Sequence, residues 1–265
     1  MKHVNEEYVV LASQSPRRQE LLRSIGVRFH TCPANIDEHL VDLHTPHQLV
    51  EELAKQKAGH VAKAIQAGSI QLPEKDRWNN ESLAVGDEIQ YGQNYLVIGS
   101  DTIVVCDEMI LGKPQDEDEA VSMLQHLAGR EHQVFTGLAL IRFPEAGFGP
   151  YGASGEPLEK AGAYGPTIHL GHTGQYRVVA KSSDGQQEII VGHTASKVTF
   201  RPMSDEEIRA YVKTGIPLDK AGSYGIQDLG AVFIEKIEGD YYSIMGLPLN
   251  LLYQMFIQLG ISLFK

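Results

Sequence analysis

The chain has 265 residues, enough for a substantial core in one large domain or two lobes. Its formal net charge of −11, from 23 basic and 34 acidic residues, argues against sequence-independent binding to nucleic acid, yet a few local cations could still hold a small anion. The two cysteines, Cys32 and Cys106, form neither a disulfide framework nor a CxxC site, no apolar run approaches the roughly 20 residues of a membrane span, and Met-Lys-His-Val-Asn-Glu-Glu does not read as a signal peptide, so a cytoplasmic protein is expected.

Tyr8-Val-Val-Leu-Ala12 reads as a buried strand. Ser15 is placed as an N-cap and Pro16 as the first helical residue, followed by Arg17 and Arg18. Cations in a first turn oppose the helix dipole by about 0.3–1 kcal/mol each. Two of them point to an anionic ligand, most plausibly a phosphate. The plainer alternative is that both reach solvent or pair with surface acids. Val27 to Thr31 predicts a second strand. Thr45 to Gln66 predicts a helix capped by Thr45, with Pro46 at its start and Leu49, Val50, Leu53 and Ala54 on one face.

Residues 67–94 are polar and broken by Gly, Pro and Asn, so a long loop or insertion is expected. Leu96 to Gly99 is a buried strand, and Ile103 to Cys106 and Met109 to Leu111 flank Asp107-Glu108 as a tight hairpin. Asp116 begins a helix to about Leu127, and Gln133 to Arg142 alternates as a strand. Residues 145–186 carry nine glycines and read as an excursion with its own hairpin near Tyr176 to Ala180. A strand spans Glu188 to Phe200, and Ser204 and Glu207 are spaced as a capping box. Ala231 to Ile237 and Tyr241 to Met245 are expected to form a hairpin around Glu238-Gly239-Asp240. Leu249 to Leu259 is a terminal helix. Helices alternating with strands and hairpins predict an α/β fold with a mixed sheet.

Asp101, in Gly99-Ser-Asp-Thr-Ile, is placed where a buried strand emerges, a position for a metal ligand, a general base or simply a turn cap. A two-residue turn at Asp107-Glu108 sets Thr102 opposite Lys113 and so brings Lys113 beside Asp101. Glu38 follows the second strand and Lys57 lies on the long helix; each alone reads as an ordinary surface charge. In Asp219-Lys-Ala-Gly-Ser-Tyr-Gly-Ile-Gln227, glycines around an aromatic ring suit a tight loop approaching a planar ligand. The Gln227 amide could present a donor and an acceptor to a base edge.

Ala12-Ser-Gln-Ser-Pro-Arg-Arg-Gln-Glu-Leu-Leu, Gly99-Ser-Asp-Thr-Ile-Val, Gly112-Lys-Pro, His132-Gln-Val-Phe-Thr-Gly, Asp219-Lys-Ala-Gly-Ser-Tyr-Gly-Ile-Gln and Gly246-Leu-Pro-Leu together resemble the Maf family. They occur in order over nearly the whole chain. The resemblance is to the branch acting on dTTP and UTP, which carries Gln where Gln227 stands. It implies a nucleoside triphosphate pyrophosphatase that removes non-standard or excess nucleotides. Cleavage between the α- and β-phosphates gives monophosphate and pyrophosphate, with a divalent cation such as Mg or Mn.

By the same resemblance, Asp101 matches the proton acceptor. Ser13, Arg17, Arg18, Lys57 and Lys113 match phosphate-binding positions. Glu38, with Asp101, matches the acidic side of the metal site, and Arg17, Thr102 and Gln227 match positions tied to substrate choice. The fold implied is a mixed α/β sheet with helices on both sides and two lobes around a cleft, similar to inosine triphosphate pyrophosphatases. It is a single domain with insertions at about 69–94 and 145–186. A homodimer is expected only by analogy, and neither nucleic acid nor membrane is an expected partner.

A 7-methyl-GTP or modified-pyrimidine substrate would keep the enzyme and change the base. A septum-formation regulator acting through a partner would have no reason to gather Arg17, Arg18, Glu38, Lys57, Asp101 and Lys113. Gly147-Phe-Gly-Pro-Tyr-Gly152 matches GxGxxG but is followed by no helix pattern, there is no P-loop motif, and His39, His44 and His47 fit no zinc spacing.

Overall fold

The structure, a computed structural model, describes residues 1–34, 36, 45–70, 72, 94–144, 166–181 and 188–264. Glu38, His39, His44, Trp78 and the GxGxxG segment at 147–152 lie outside them, as do most of both expected insertions. The strands are β1 (Lys2–His3), β2 (Tyr8–Leu11), β3 (His30–Thr31), β4 (Asn94–Cys106), β5 (Met109–Leu111), β6 (Glu131–Pro144), β7 (Ile168–Leu170), β8 (Gly174–Lys181), β9 (Glu188–Phe200), β10 (Ile234–Glu238) and β11 (Ile261–Ser262). The helices are α1 (Pro16–Ser24), α2 (Pro46–Gln66), α3 (Glu117–Leu127), α4 (Asp205–Val212), α5 (Tyr241–Ile244) and α6 (Leu249–Gln258).

The main sheet runs β3-β2-β4-β6-β9-β8-β7, with β5 added to β4 and β10 to β9. Pairings among β2, β3 and β4 are parallel, and the rest of this sheet is antiparallel. This is the expected mixed sheet, covered on both faces. Val9, Leu11, Leu96, Ile98, Leu138 and Leu140 pack with α1 and α6 on one face. Tyr8, Val10, Val97, Ala139 and Ile141 pack with Ala54, Ala58, Val61 and Ala62 of α2 on the other. Strand alternation alone sorts these two sets. Beyond the far end of β4, Val104, Cys106 and Leu111 join α3, α4, Phe200, Tyr224 and Phe233 in a further cluster.

Two glycines let α2 come close. A Cβ at Gly99 would collide with the Ala54 carbonyl and crowd Ala58, and one at Gly137 would collide with the Val50 carbonyl. The Asp107-Glu108 turn forms with φ of 48° and 65°, and the β4–β5 register pairs Cys106 with Met109 and Val104 with Leu111. Asp116 caps α3 by accepting from the Glu119 N–H, and Ser204 and Glu207 close their capping box.

Three expectations are corrected. The second strand is only His30–Thr31, because the Val27 and Arg28 N–H groups are taken by the Leu22 carbonyl and the Asn5 side chain. Residues 231–245 are not a hairpin. The strand ends at Glu238, and Asp240, accepting from the Tyr242 N–H, starts the short helix α5. Asp101 is not at a strand end but inside a 13-residue strand.

Candidate active site

What sets Asp101 apart is the edge of its strand. Parallel pairing of β2 with β4 stops at Leu11–Ile98, and pairing of β5 with β4 begins only at Leu111–Val104. Between them, Gly99 to Ile103 pair with β6 alone among the described strands. The Ser13–Ser15 turn follows β2 at one end of this gap, and Gly112–Lys113 follows β5 at the other. Alternation splits the gap's side chains: Asp101 points to the α2 face, Ser100 and Thr102 to the α1 and α6 face.

On the α2 face, the Lys57 ammonium lies 2.5 Å from Asp101 Oδ1, with the two side chains only 12% and 10% exposed. The other Asp101 oxygen has no hydrogen-bond partner among the described residues. The close seating of α2 over Gly99 and Gly137 puts Lys57 there. Lys113, expected beside Asp101, is exposed beyond the end of β5 and makes no ion pair among the described residues. The cation on Asp101 comes from the helix, which hairpin register could not reveal.

On the opposite face Arg18 organises the gap. Its Nε donates to the Gly246 carbonyl (2.8 Å), Nη1 to Ser13 Oγ (3.1 Å) and Nη2 to Thr102 Oγ1 (3.3 Å). Ser100 Oγ also donates to the Gly246 carbonyl (2.8 Å), and Thr102 bonds Thr136, whose hydroxyl donates to the Ser243 carbonyl. Gly246 sits at φ 105°, a conformation that strains other residues, and a Cβ there would stand a tight 3.3 Å from both Arg18 Nε and Thr102 Oγ1. Ser15 occupies the cap position of α1 but makes no side-chain cap bond; instead its own N–H donates to Ser13 Oγ (3.2 Å).

Arg17 is half-buried and acts on the Gly-rich loop. Burial raises the Asp219 carboxyl, but the Lys220 ammonium at 2.6 Å, with Arg17 adding its charge, holds it below the ordinary aspartate value. The loop's glycines answer to the protein rather than to a ligand. Gly222, at φ 67°, packs where a Cβ would be 2.9 Å from Val104, and a Cβ at Gly225 would strike Asp228. Tyr224 turns inward, bonding His132 Nε2 (2.9 Å) and meeting Phe200 edge-on, so it offers no stacking face. Gln227 is exposed and makes no side-chain hydrogen bond to the described residues.

A second charged cluster, marked by no sequence motif, lies on the α2 face. Glu51, 4% exposed, accepts from His193 Nδ1 (2.7 Å) and Arg177 Nη1 (2.7 Å), and the His47 ring lies 5.1 Å from that of His193. Burial raises the Glu51 carboxyl, but these partners bring it below the ordinary value. The signal was present: Glu51 shares the buried stripe of Ala54, Ala58 and Val61. Elsewhere, ligand atoms of Cys106, Asp107 and His126 lie within 4.8 Å of one another, but Arg130 already pairs with Asp107 there.

A gap at the carboxyl end of a parallel strand pair, edged by an arginine, a lysine and a carboxylate, places the chain among α/β proteins that take their ligand where the strand order turns. Comparison with known proteins makes this specific. The chain belongs to the Maf family, matching the family described as Maf-like protein over residues 8–172 and 167–259. It is 37% identical over 258 residues to a protein of Symbiobacterium thermophilum named dTTP/UTP pyrophosphatase, covering 97% of each chain. Proteins of the same name from Acetivibrio thermocellus (36% over 257 residues; 97% of this chain, 98% of that one) and Syntrophomonas wolfei (32% over 255 residues; 96% and 99%) are also similar.

Proposed function

We propose that this protein hydrolyses dTTP and UTP to the monophosphate and pyrophosphate, with Asp101 as the proton acceptor. The observation that carries the reading is the Lys57–Asp101 pair set in the stretch of β4 that pairs with β6 alone among the described strands, with Arg18 of α1 on Thr102 and Ser13 at the same gap. The near full-length likeness to proteins named for that activity supports it.

Arg17, Arg18, Lys57 and Lys113 supply cations for the triphosphate, and Ser13 adds a hydroxyl. Arg18 also fixes Ser13 and the Gly246 turn, so the anion meets donors already in place. Lys57 holds Oδ1 of Asp101, which leaves the second oxygen to orient and deprotonate a water, directly or through a cation it would help to hold. Gln227, exposed on its loop and without an internal partner among the described residues, has its amide free for a pyrimidine edge. Thr102 shapes the gap beside Arg18.

A divalent cation, Mg or Mn, belongs to this reading. The donor chemistry fits: Asp101 is a hard oxygen ligand with one oxygen unengaged by described residues. Asp101 and Glu38 would hold the cation; when bound it would neutralise phosphoryl charge.

The test is a panel of nucleotides assayed side by side for pyrophosphate, with and without the cation. Metal-dependent pyrophosphate from dTTP and UTP, and little from ATP, GTP or 7-methyl-GTP, is the expected result. Orthophosphate from the γ position, or equal turnover of purines, would overturn the reading.

A further inference from the structure

Asp101 does not stand alone on its face of the sheet. It is paired across the ladder with Gly137, which is paired with His193. Directly paired residues share a face, so Asp101, Gly137 and His193 form one row beneath α2. Gly137, in the middle, has no side chain to grip the helix, and the Val50 carbonyl sits where its Cβ would be. The polar contacts are at the row's two ends. Lys57 reaches Asp101 at one end, and Glu51 meets His193 at the other, where Arg177 of β8 joins it. Glu51 and Lys57 are separated by about 9 Å along the helix and about 120° around it, so they flank the line of contact.

We propose that Glu51 is a positioning residue: clamped by His193 and Arg177, it sets the rotation and register of α2 and thereby the seat of the Lys57 ammonium on Asp101. Directly over Gly99 and Gly137 the contacts are small or backbone, Ala54, Ala58 and the Val50 carbonyl, and the larger apolar side chains nearby, Val50 against Ile103 and Val105, carry no directional bond. Small apolar contacts permit sliding and turning; a carboxylate held by an imidazole and a guanidinium from two strands does not. Glu51 itself need touch no substrate. The proposal rests on the reading of Lys57 and Asp101 as reaction machinery, and extends it to a cluster no motif of the sequence announced.

Two measurements test it on the full-length protein, under conditions where unfolding curves show each variant fully folded. The first needs no activity. Lysines are acetylated at limiting reagent and quantified by mass spectrometry in wild type and Glu51→Gln. Lys57 should become several-fold more reactive, while Lys220, buried to a similar degree (9% exposed against 12% for Lys57) and not part of the clamp, stays unchanged. General loosening would raise both, and an unchanged Lys57 would end the proposal.

The second is a double-mutant cycle with Lys57→Met, read as kcat and KM for dTTP. Glu51→Gln should lower kcat by about tenfold or more, as misplacement of a reacting group does, with little change in KM. In the Lys57→Met background the same substitution should add little. An equal loss in both backgrounds would show that Glu51 acts without Lys57. Lys57→Met with wild-type turnover would instead overturn the reading of the site itself, which the acetylation result does not depend on.

Discussion

Asp101 holds a fixed place because its strand is paired along one full edge and its side chain is pinned by Lys57. Asp101→Asn keeps the shape and removes the proposed proton acceptor. Turnover of dTTP should fall by about 10²–10⁴-fold, the usual worth of general-base action. Equilibrium binding should persist, because in the proposed site cations hold the phosphates and a repelling charge is gone; near-normal turnover would refute the assignment. Arg18 differs from Arg17 in what it holds. Arg18→Ala frees Ser13, Thr102 and the Gly246 turn together, whereas Arg17→Ala removes a charge near Asp219. Both should slow catalysis, and Arg18→Ala alone should also lower the melting temperature. Identical melting temperatures would show that the Arg18 contacts add nothing to the fold. For base choice, Gln227→Glu replaces a donor with a charge where a uracil or thymine edge offers carbonyls. A loss of discrimination of about 1–3 kcal/mol is expected across the nucleotide panel, and an unchanged preference would remove Gln227 from the site.

Elements carry the site because they approach one another more closely than side chains normally allow. Gly99→Ala puts a methyl against the Ala54 carbonyl and forces α2 away from β4. Overpacking of this kind costs about 1–3 kcal/mol, and here it should also part Lys57 from Asp101. Urea unfolding and kcat should therefore fall together; a stability loss with full kcat would detach the helix seat from the chemistry. At the far end of the sheet, the buried His132–Tyr224 contact anchors the Gly-rich loop. Burial lowers His132 from 6.5 to about 4, so the fold requires the neutral ring. The unfolded chain then binds the extra proton, and stability is complete above pH 6.5 and declines as pH falls towards 4. His132→Gln should flatten the slope of unfolding free energy over that window; an unchanged slope would place the proton elsewhere. These elements were legible in unequal measure. β9, α2, the Asp107-Glu108 turn and the Ser204 box were plain in the sequence because periodicity, turn chemistry and capping all act locally. The error at 231–245 came from reading Tyr241-Tyr242 as strand formers and overlooking Asp240 as a cap. Tyr224 was misread because only the tertiary packing of His132 and Phe200 turns its ring inward.

The whole molecule brings distant stretches of sequence to one gap: Ser13 to Arg18, Lys57, Ser100 to Thr102, Thr136 and the Ser243–Gly246 turn. The parallel pairing of β1 with β11 joins the two ends of the fold, and Ile261 enters the same core as Val9 and Ile98. The sequence motifs named most of the residues at the gap but not their assembly. Whether Lys57 or Lys113 faces Asp101 depends on how closely a helix can seat on two glycines, and Glu51 emerged only once its partners on β8 and β9 were in place. Such an assembly has a consequence for the molecule's stability. A triphosphate held as proposed, by α1, α2 and β4 at once, would bind both faces of the sheet and so be linked to unfolding of the whole structure rather than of one part. A ligand that binds only the folded state stabilises it by about 2.7 kcal/mol at 100 times its dissociation constant. The Asp101→Asn variant allows this to be measured without turnover. With dTTP at that excess, its urea unfolding should shift by this amount as a single transition, with fluorescence and circular dichroism coinciding. Two separated transitions, only one of them moved by dTTP, would mean that the ligand holds one part of the fold alone. No shift at all, with catalysis also lost, would make Asp101 a residue of the fold rather than of the reaction.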